Sequence, residues 1–90
     1  MNDNTYELFI GSNNETGKLE YDKIIKITLR HFDGMTISKA DGAWKGGREK
    51  TAIVIVNATD NQIKKFAKEL KSELKQEAIG IRETNELKFI

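Results

Sequence analysis

Apolar and polar residues alternate with a period of two through TYELFIG, Thr5 to Gly11. The alternation places Tyr6, Leu8 and Ile10 on one face and Glu7 and Phe9 on the other, which predicts a first strand closed by glycine. SNNETGK follows as a loop, because Asn and Ser side chains bond nearby backbone and Gly accepts positive φ. From Leu19 to Phe32 the spacing changes to that of a helix, with Tyr21, Ile24, Ile25, Leu29 and Phe32 as its buried stripe. Ile27 falls off that stripe beside His31, so either the helix is covered on two sides or an apolar spot is left for a partner, and a single exposed Ile is the simplest expectation. Asp33-Gly34 should end the helix through a left-handed glycine.

A second strand is expected from Met35 to about Ala40. DGAWKGGRE then breaks the alternation, and KTAIVIVNA resumes it as an unbroken β-branched run, the pattern of a strand covered on both faces. These two strands form a hairpin whose long tip carries Trp44, the only tryptophan of the chain. Thr59, with Asp60 and Gln62 behind it, has the residues of a capping box. Ile63, Phe66, Ala67, Leu70 and Leu74 give the second helix its stripe, and the period returns to two near Lys75 and Gln76. EAIGIRE reads as a fourth strand with Ile79 and Ile81 inward, and ELKFI after the turn at Thr84-Asn85 as a short terminal strand or an extended tail.

The element order βαββαβ over residues 1–90 predicts a single α+β domain of the ferredoxin-like kind, with a four-stranded antiparallel sheet and two helices on one face. The other sheet face would carry Phe9 and half of Ile53 to Val56, so a second subunit, the C-terminal segment or a ligand should cover it, and a homodimer is expected.

Composition narrows the chemistry. The chain has 90 residues, no cysteine, one histidine and a formal net charge of +1. Disulfides, thiolate metal sites and multi-histidine sites are thereby excluded within one chain, and no global field draws the protein to nucleic acid. The strand AIVIV lacks the aromatics of an RNA-binding sheet, which argues further against nucleic acid. No apolar run approaches the ~20 residues of a membrane span, and MNDNTYELF lacks a signal peptide's basic-then-apolar pattern, so a cytoplasmic protein is expected. No calcium loop, phosphate loop or serine elbow occurs, and no cofactor or metal is implied.

Three motifs remain. FDGMTISKADGAWKG (Phe32 to Gly46), LKQEAIGI (Leu74 to Ile81) and YELFIGSNN resemble, in order, the F, G, T, A and G-x-W segment, the Q-E-S-V-like entry into the last strand and the opening strand of a widespread bacterial and phage family of small domains of unknown function. The resemblance implies a ferredoxin-like domain without an assigned activity, and carries over to Gly42, Trp44, Gln76 and Glu77. Many members have a lipoprotein-type leader and a proline in the first helix, which are missing here, so no periplasmic role is carried over.

The candidate binding surface is therefore Trp44 with Lys45 and Arg48 for charge, Gln76 and Glu77 for hydrogen bonds, and Asn13 and Asn14 in the first loop. Lys64, Lys68, Lys71 and Lys75 form a second candidate, a basic line along the second helix that either meets an acidic protein or phosphates or flanks the apolar stripe with its methylene stems. The expected function is a non-catalytic binding protein, such as a phage counter-defence inhibitor that sequesters a small anionic or nucleotide-like ligand or blocks a host protein. The alternatives are an oligomeric enzyme using His31, Tyr6 or Tyr21 in a pocket between sheet and helices, and a structural dimerisation module.

Overall fold

The computed structural model describes residues 4–76 and 78–84, with only the backbone at position 44. Six elements follow one another as β1 (Asn4–Ile10), α1 (Tyr21–His31), β2 (Thr36–Trp44), β3 (Gly47–Ala58), α2 (Asp60–Glu73) and β4 (Gly80–Thr84). They form one antiparallel sheet in the order β2-β3-β1-β4, which is the ferredoxin-like arrangement predicted from the element order. The proposed terminal strand ELKFI and Glu77 lie outside the described residues.

Alternation decides which face of the sheet is buried. Tyr6, Leu8 and Ile10 of β1 and Ala52, Val54, Val56 and Ala58 of β3 point to the helices and are buried. Ile24 and Ile27 of α1, and Ile63, Phe66 and Leu70 of α2 with Leu74 just beyond it, close over them. The α1 stripe is rotated from its predicted position. Ile27 is fully buried, whereas Leu29, expected inside, is 54% exposed. The buried set Ile24, Ile27 and Thr28 has the spacing of one helical face, and its polar member is accommodated because the Thr28 hydroxyl donates to the Ile24 carbonyl at 2.7 Å. A reading that counts only apolar residues discards Thr28 and so misplaces the face.

The ends of the helices also differ from the sequence reading. Phe32 leaves α1 in an extended conformation (φ −136°, ψ 146°), so no left-handed glycine ends it. The Phe32 ring turns into the core and packs edge-on against Phe66 at 5.1 Å. At α2 the capping box forms as predicted, with Thr59 Oγ1 accepting from Gln62 N–H and Gln62 Oε1 accepting from Thr59 N–H. The helix ends in a Schellman arrangement, Gln76 N–H donating to the Lys71 carbonyl at 3.1 Å with Lys75 at φ 54°. Lys75 therefore leaves the helical path, and the basic line stops at Lys71.

The long loop expected around Trp44 is instead a two-stranded ribbon. β2 and β3 pair without interruption from Thr36↔Ile55 to Trp44↔Gly47. Lys45 (φ 50°) and Gly46 (φ 80°) form the two-residue turn, whose twist matches that of the strands. On β4, Ile81 is 44% exposed because it sits at the sheet edge, while Ile79 packs against the core as expected. No helix is long and apolar enough to cross a membrane among the described residues.

Thr59→Ala removes one half of the capping box and should lower stability by about 1 kcal/mol. Lys75→Gly relieves a left-handed side chain and should raise it by up to about 1 kcal/mol. Urea denaturation at neutral pH measures both.

Candidate functional site

Both helices lie on one face of the sheet, so the residues of opposite parity form a second face. Its rows follow from the pairing: Ser38, Ile53, Phe9 and Gly80 in one, and Thr36, Ile55, Glu7 and Arg82 in the next. Phe9, Ile53 and Ile55 are half-buried. Arg82 covers part of the face, with its guanidinium 5.5 Å from the centre of the Phe9 ring and 2.7 Å from Glu7 Oε2. The β-branched run of β3 is thus fully buried on its helix side and half-buried on the other, rather than enclosed on both.

The β2–β3 ribbon runs on past Ile10, the last residue of β1, which pairs with Ala52. Beyond that point the open face becomes concave. A cavity of about 490 Å³ lies there, with Phe9, Ile53 and Thr51 as its floor, Ala40 and Gly42 of β2 and Glu49 of β3 along one side, and Gln76, Ile79 and Gly80 along the other. Gly11 and Asn14 close the end. Among the described lining residues Asp41 and Glu49 are charged, and of the two Glu49 has the parity of the open face. Asp41 is paired with Lys50 at 2.8 Å in an exposed contact, whereas the Glu49 carboxylate lies half-buried and accepts from the backbone N–H of Ser12 at 3.3 Å. Gly11 permits that approach, since a Cβ there would stand 2.6 Å from Glu49 Oε1.

The first loop is held to this site by polar contacts. Ser12, 5% exposed, donates its hydroxyl to the Lys50 carbonyl at 3.0 Å. Gln76 Nε2 donates to the carbonyls of Gly11 at 3.0 Å and Ser12 at 2.5 Å. Asn13 is also buried and organises the loop itself. Its Oδ1 accepts from Glu15 and Thr16 N–H, and its Nδ2 donates to Glu20 Oε1 at 3.2 Å.

The structure therefore gathers only part of the predicted surface. Gln76, Asn14 and Gly42 line the cavity. Asn13 serves the loop, and Lys45 and Arg48 sit exposed toward the ribbon end, outside the cavity lining. Trp44 occupies the last pair of the ribbon, and its side chain, like Glu77, lies outside what is described. Lys64, Lys68 and Lys71 are exposed on α2, on the helix side of the sheet, and Lys64 pairs with Asp60 at 3.0 Å. Phe9, placed from the sequence on the face left for a ligand or a second copy, does line the cavity, whereas Glu49 was missed. Glu49 was accessible by counting back in steps of two from Ile53 along β3, but the glycine-rich run hid the continuation of the strand.

The fold has solved counterparts. No family model matches the chain, and no curated protein matches it. A phage SAM lyase in its apo state superposes with a TM-score of 0.69 at 18% identity, over 88% of this chain and 78% of that one. CutA from Synechococcus elongatus superposes with a TM-score of 0.58 at 13% identity, over 97% of this chain and 80% of CutA. At these identities the likeness establishes the fold.

A separate polar cluster joins the helices. Arg30 Nη1 of α1 meets Glu69 Oε1 at 2.8 Å and Glu73 Oε2 at 3.0 Å, and His31 Nε2 meets Glu69 Oε2. The His31 ring also lies 5.4 Å from that of Phe66. Tyr21, at the other end of α1, is about 15 Å away along the helix axis, so it and His31 do not share a pocket. Hydrogen bonding from His31, and then from Arg30, holds the Glu69 carboxyl below the usual carboxylate range, and Glu69 together with Glu73 raises the Arg30 guanidinium. Because the folded value of Glu69 is depressed, its contribution to stability is complete above about pH 4.5 and is lost as pH falls through the lower folded value. Glu69→Gln should thus flatten the acid limb of the stability profile, measured by thermal melts from about pH 3 to about pH 7, a range that spans the carboxylate values.

Proposed function

We propose that the protein binds SAM, or a small adenosyl-sulfonium ligand of that class, in the open-face cavity, and so withdraws it from use as a phage counter-defence protein. The observation that carries this reading is the Glu49 carboxylate, held half-buried beside the apolar floor of Phe9 and Ile53. A carboxylate so placed favours a cation and disfavours an anion. Among the described residues of the lining, Glu49 is the charged side chain with the parity of the open face, so the ligand expected from Lys45 and Arg48 changes sign, from anionic to cationic. The volume of about 490 Å³ suits a nucleoside-sized molecule, for which pockets of roughly 300 to 1,000 Å³ are usual. Phe9 offers a ring on which a purine can stack, and Asn14 lies at the cavity rim for its polar edge. The phage SAM lyase of like fold supports SAM as the ligand and a phage context.

Turnover is the second reading, favoured by the same neighbour, whose name is that of a lyase. In it Glu49 would hold the sulfonium centre while a C–S bond breaks, its electron pair staying on sulfur as a neutral thioether and the substrate's own carboxylate bonding to the departing carbon. The homodimer expected from the sequence would draw on the half-buried Phe9, Ile53 and Ile55, and a second copy seated there would close the cavity from water. Light scattering should then give twice the monomer mass, and a strict monomer would remove that part of the proposal.

Calorimetric titration with SAM should show binding by the wild-type protein and at least a tenfold weaker affinity, about the effect of losing one charge-assisted contact, for Glu49→Gln at unchanged melting temperature. Chromatography of the same mixtures separates retention of intact SAM from its cleavage. Neither heat nor product with wild-type protein would refute the reading.

A further inference from the structure

We infer that Gln76 is the positioning residue of this site: its side-chain amide fixes the loop peptide whose N–H holds the Glu49 carboxylate over the cavity. The inference rests on the proposed SAM-class site, and it assigns Gln76 a task different from direct ligand contact.

The geometry forms one continuous chain of contacts from α2 to the carboxylate. Gln76 is itself pinned, because its N–H closes the Schellman turn on the Lys71 carbonyl at 3.1 Å. From there Nε2 donates to two successive carbonyls, Gly11 at 3.0 Å and Ser12 at 2.5 Å. An amide nitrogen carries two protons, so both are committed to the protein and none is left for a ligand. Asn14 N–H donates to the neighbouring Lys75 carbonyl at 3.4 Å and ties the same two segments together. The peptide held in this way belongs to Ser12, whose N–H meets Glu49 Oε2 at 3.3 Å and whose hydroxyl meets the carbonyl of the next residue, Lys50, at 3.0 Å.

Without the amide, two partly enclosed carbonyls lose their donor and the loop relaxes to find water. The Ser12 N–H then drifts from Glu49. A glutamate released from such a contact samples solvent-facing rotamers, and a ligand must order it again on binding. What is lost is pre-organised negative charge, so the loss falls on a cationic ligand and spares a neutral one of the same shape.

The test compares SAM with S-adenosylhomocysteine, which has a neutral thioether where SAM has a sulfonium. Calorimetry on full-length wild type, Gln76→Ala, Glu49→Gln and the double variant gives the preference for SAM in each. Gln76→Ala should reduce that preference about tenfold while changing the thioether affinity by no more than about twofold. In the Glu49→Gln background Gln76→Ala should reduce it no further. Equal losses for both ligands, or a further loss in that background, would overturn the inference. Gln76→Met keeps the side-chain volume and serves if the alanine variant does not fold. In ligand-free protein, hydrogen exchange at the Ser12 amide should accelerate about tenfold in either variant while amides of α2 keep their rates, and unchanged Ser12 exchange would equally overturn it. Wild-type protein that binds neither nucleoside refutes the functional reading alone, and the Ser12 exchange rate still decides whether Gln76 holds this peptide.

Discussion

Everything distinctive about this molecule depends on the pairing of β1 with β3 at the centre of the sheet, and on there being helices for only one of the two faces that pairing creates. Tyr6, Leu8 and Ile10 lie beside Val56, Val54 and Ala52 under the helices, and every one of them is buried. The same register aligns Glu7 with Ile55 and Phe9 with Ile53 on the reverse side. One alternation thus produces a core and an uncovered surface together, because a residue cannot be added to one face without adding its neighbour to the other. The uncovered surface is partly apolar, and Arg82 shields only some of it. That combination, apolar floor and incomplete cover, is what makes the open face the place to look for a ligand or a second copy.

The concavity arises from unequal strand lengths. β3 spans Gly47–Ala58 while β1 spans Asn4–Ile10, so the ribbon overhangs the end of the central strand. Into the space beneath it come the first loop and the segment leaving α2, joined through Ser12, Asn14 and Gln76. Polar groups buried at such a joint must find partners, and here they find one another. Their arrangement also determines where Glu49 can point. The cluster of Arg30, His31, Glu69 and Glu73 does comparable work between the helices, yet it faces the opposite side of the sheet and takes no part in the cavity.

Much of the architecture was legible because alternation and helical spacing are strong signals where apolar residues dominate. β1, the β3 core, the α2 stripe and its capping box could be read from single residues in sequence. The α1 face was not, because its inward position at Thr28 is polar and is satisfied by a backbone carbonyl four residues earlier. The ribbon was not, because Gly42, Gly46 and Gly47 look like a loop until cross-strand pairing with a two-residue turn accounts for them. For the same reason Glu49 was invisible as a site residue, while Gln76, singled out in the sequence, lies at the cavity with its amide nitrogen donating to the Gly11 and Ser12 carbonyls. Side-chain charge drew attention to Lys45, Arg48 and the α2 lysines, but only three-dimensional placement shows that Glu49 lines the cavity.

The central claim is that the open face, through the cavity beneath the ribbon, receives a cationic nucleoside. Amide chemical shifts recorded during titration with SAM test it most directly. The account predicts that the perturbed residues cluster at Phe9, Gly42, Glu49, Thr51, Ile53 and Gly80, with α2 unaffected. Perturbations centred instead on Lys64, Lys68 and Lys71, or around His31, would contradict it.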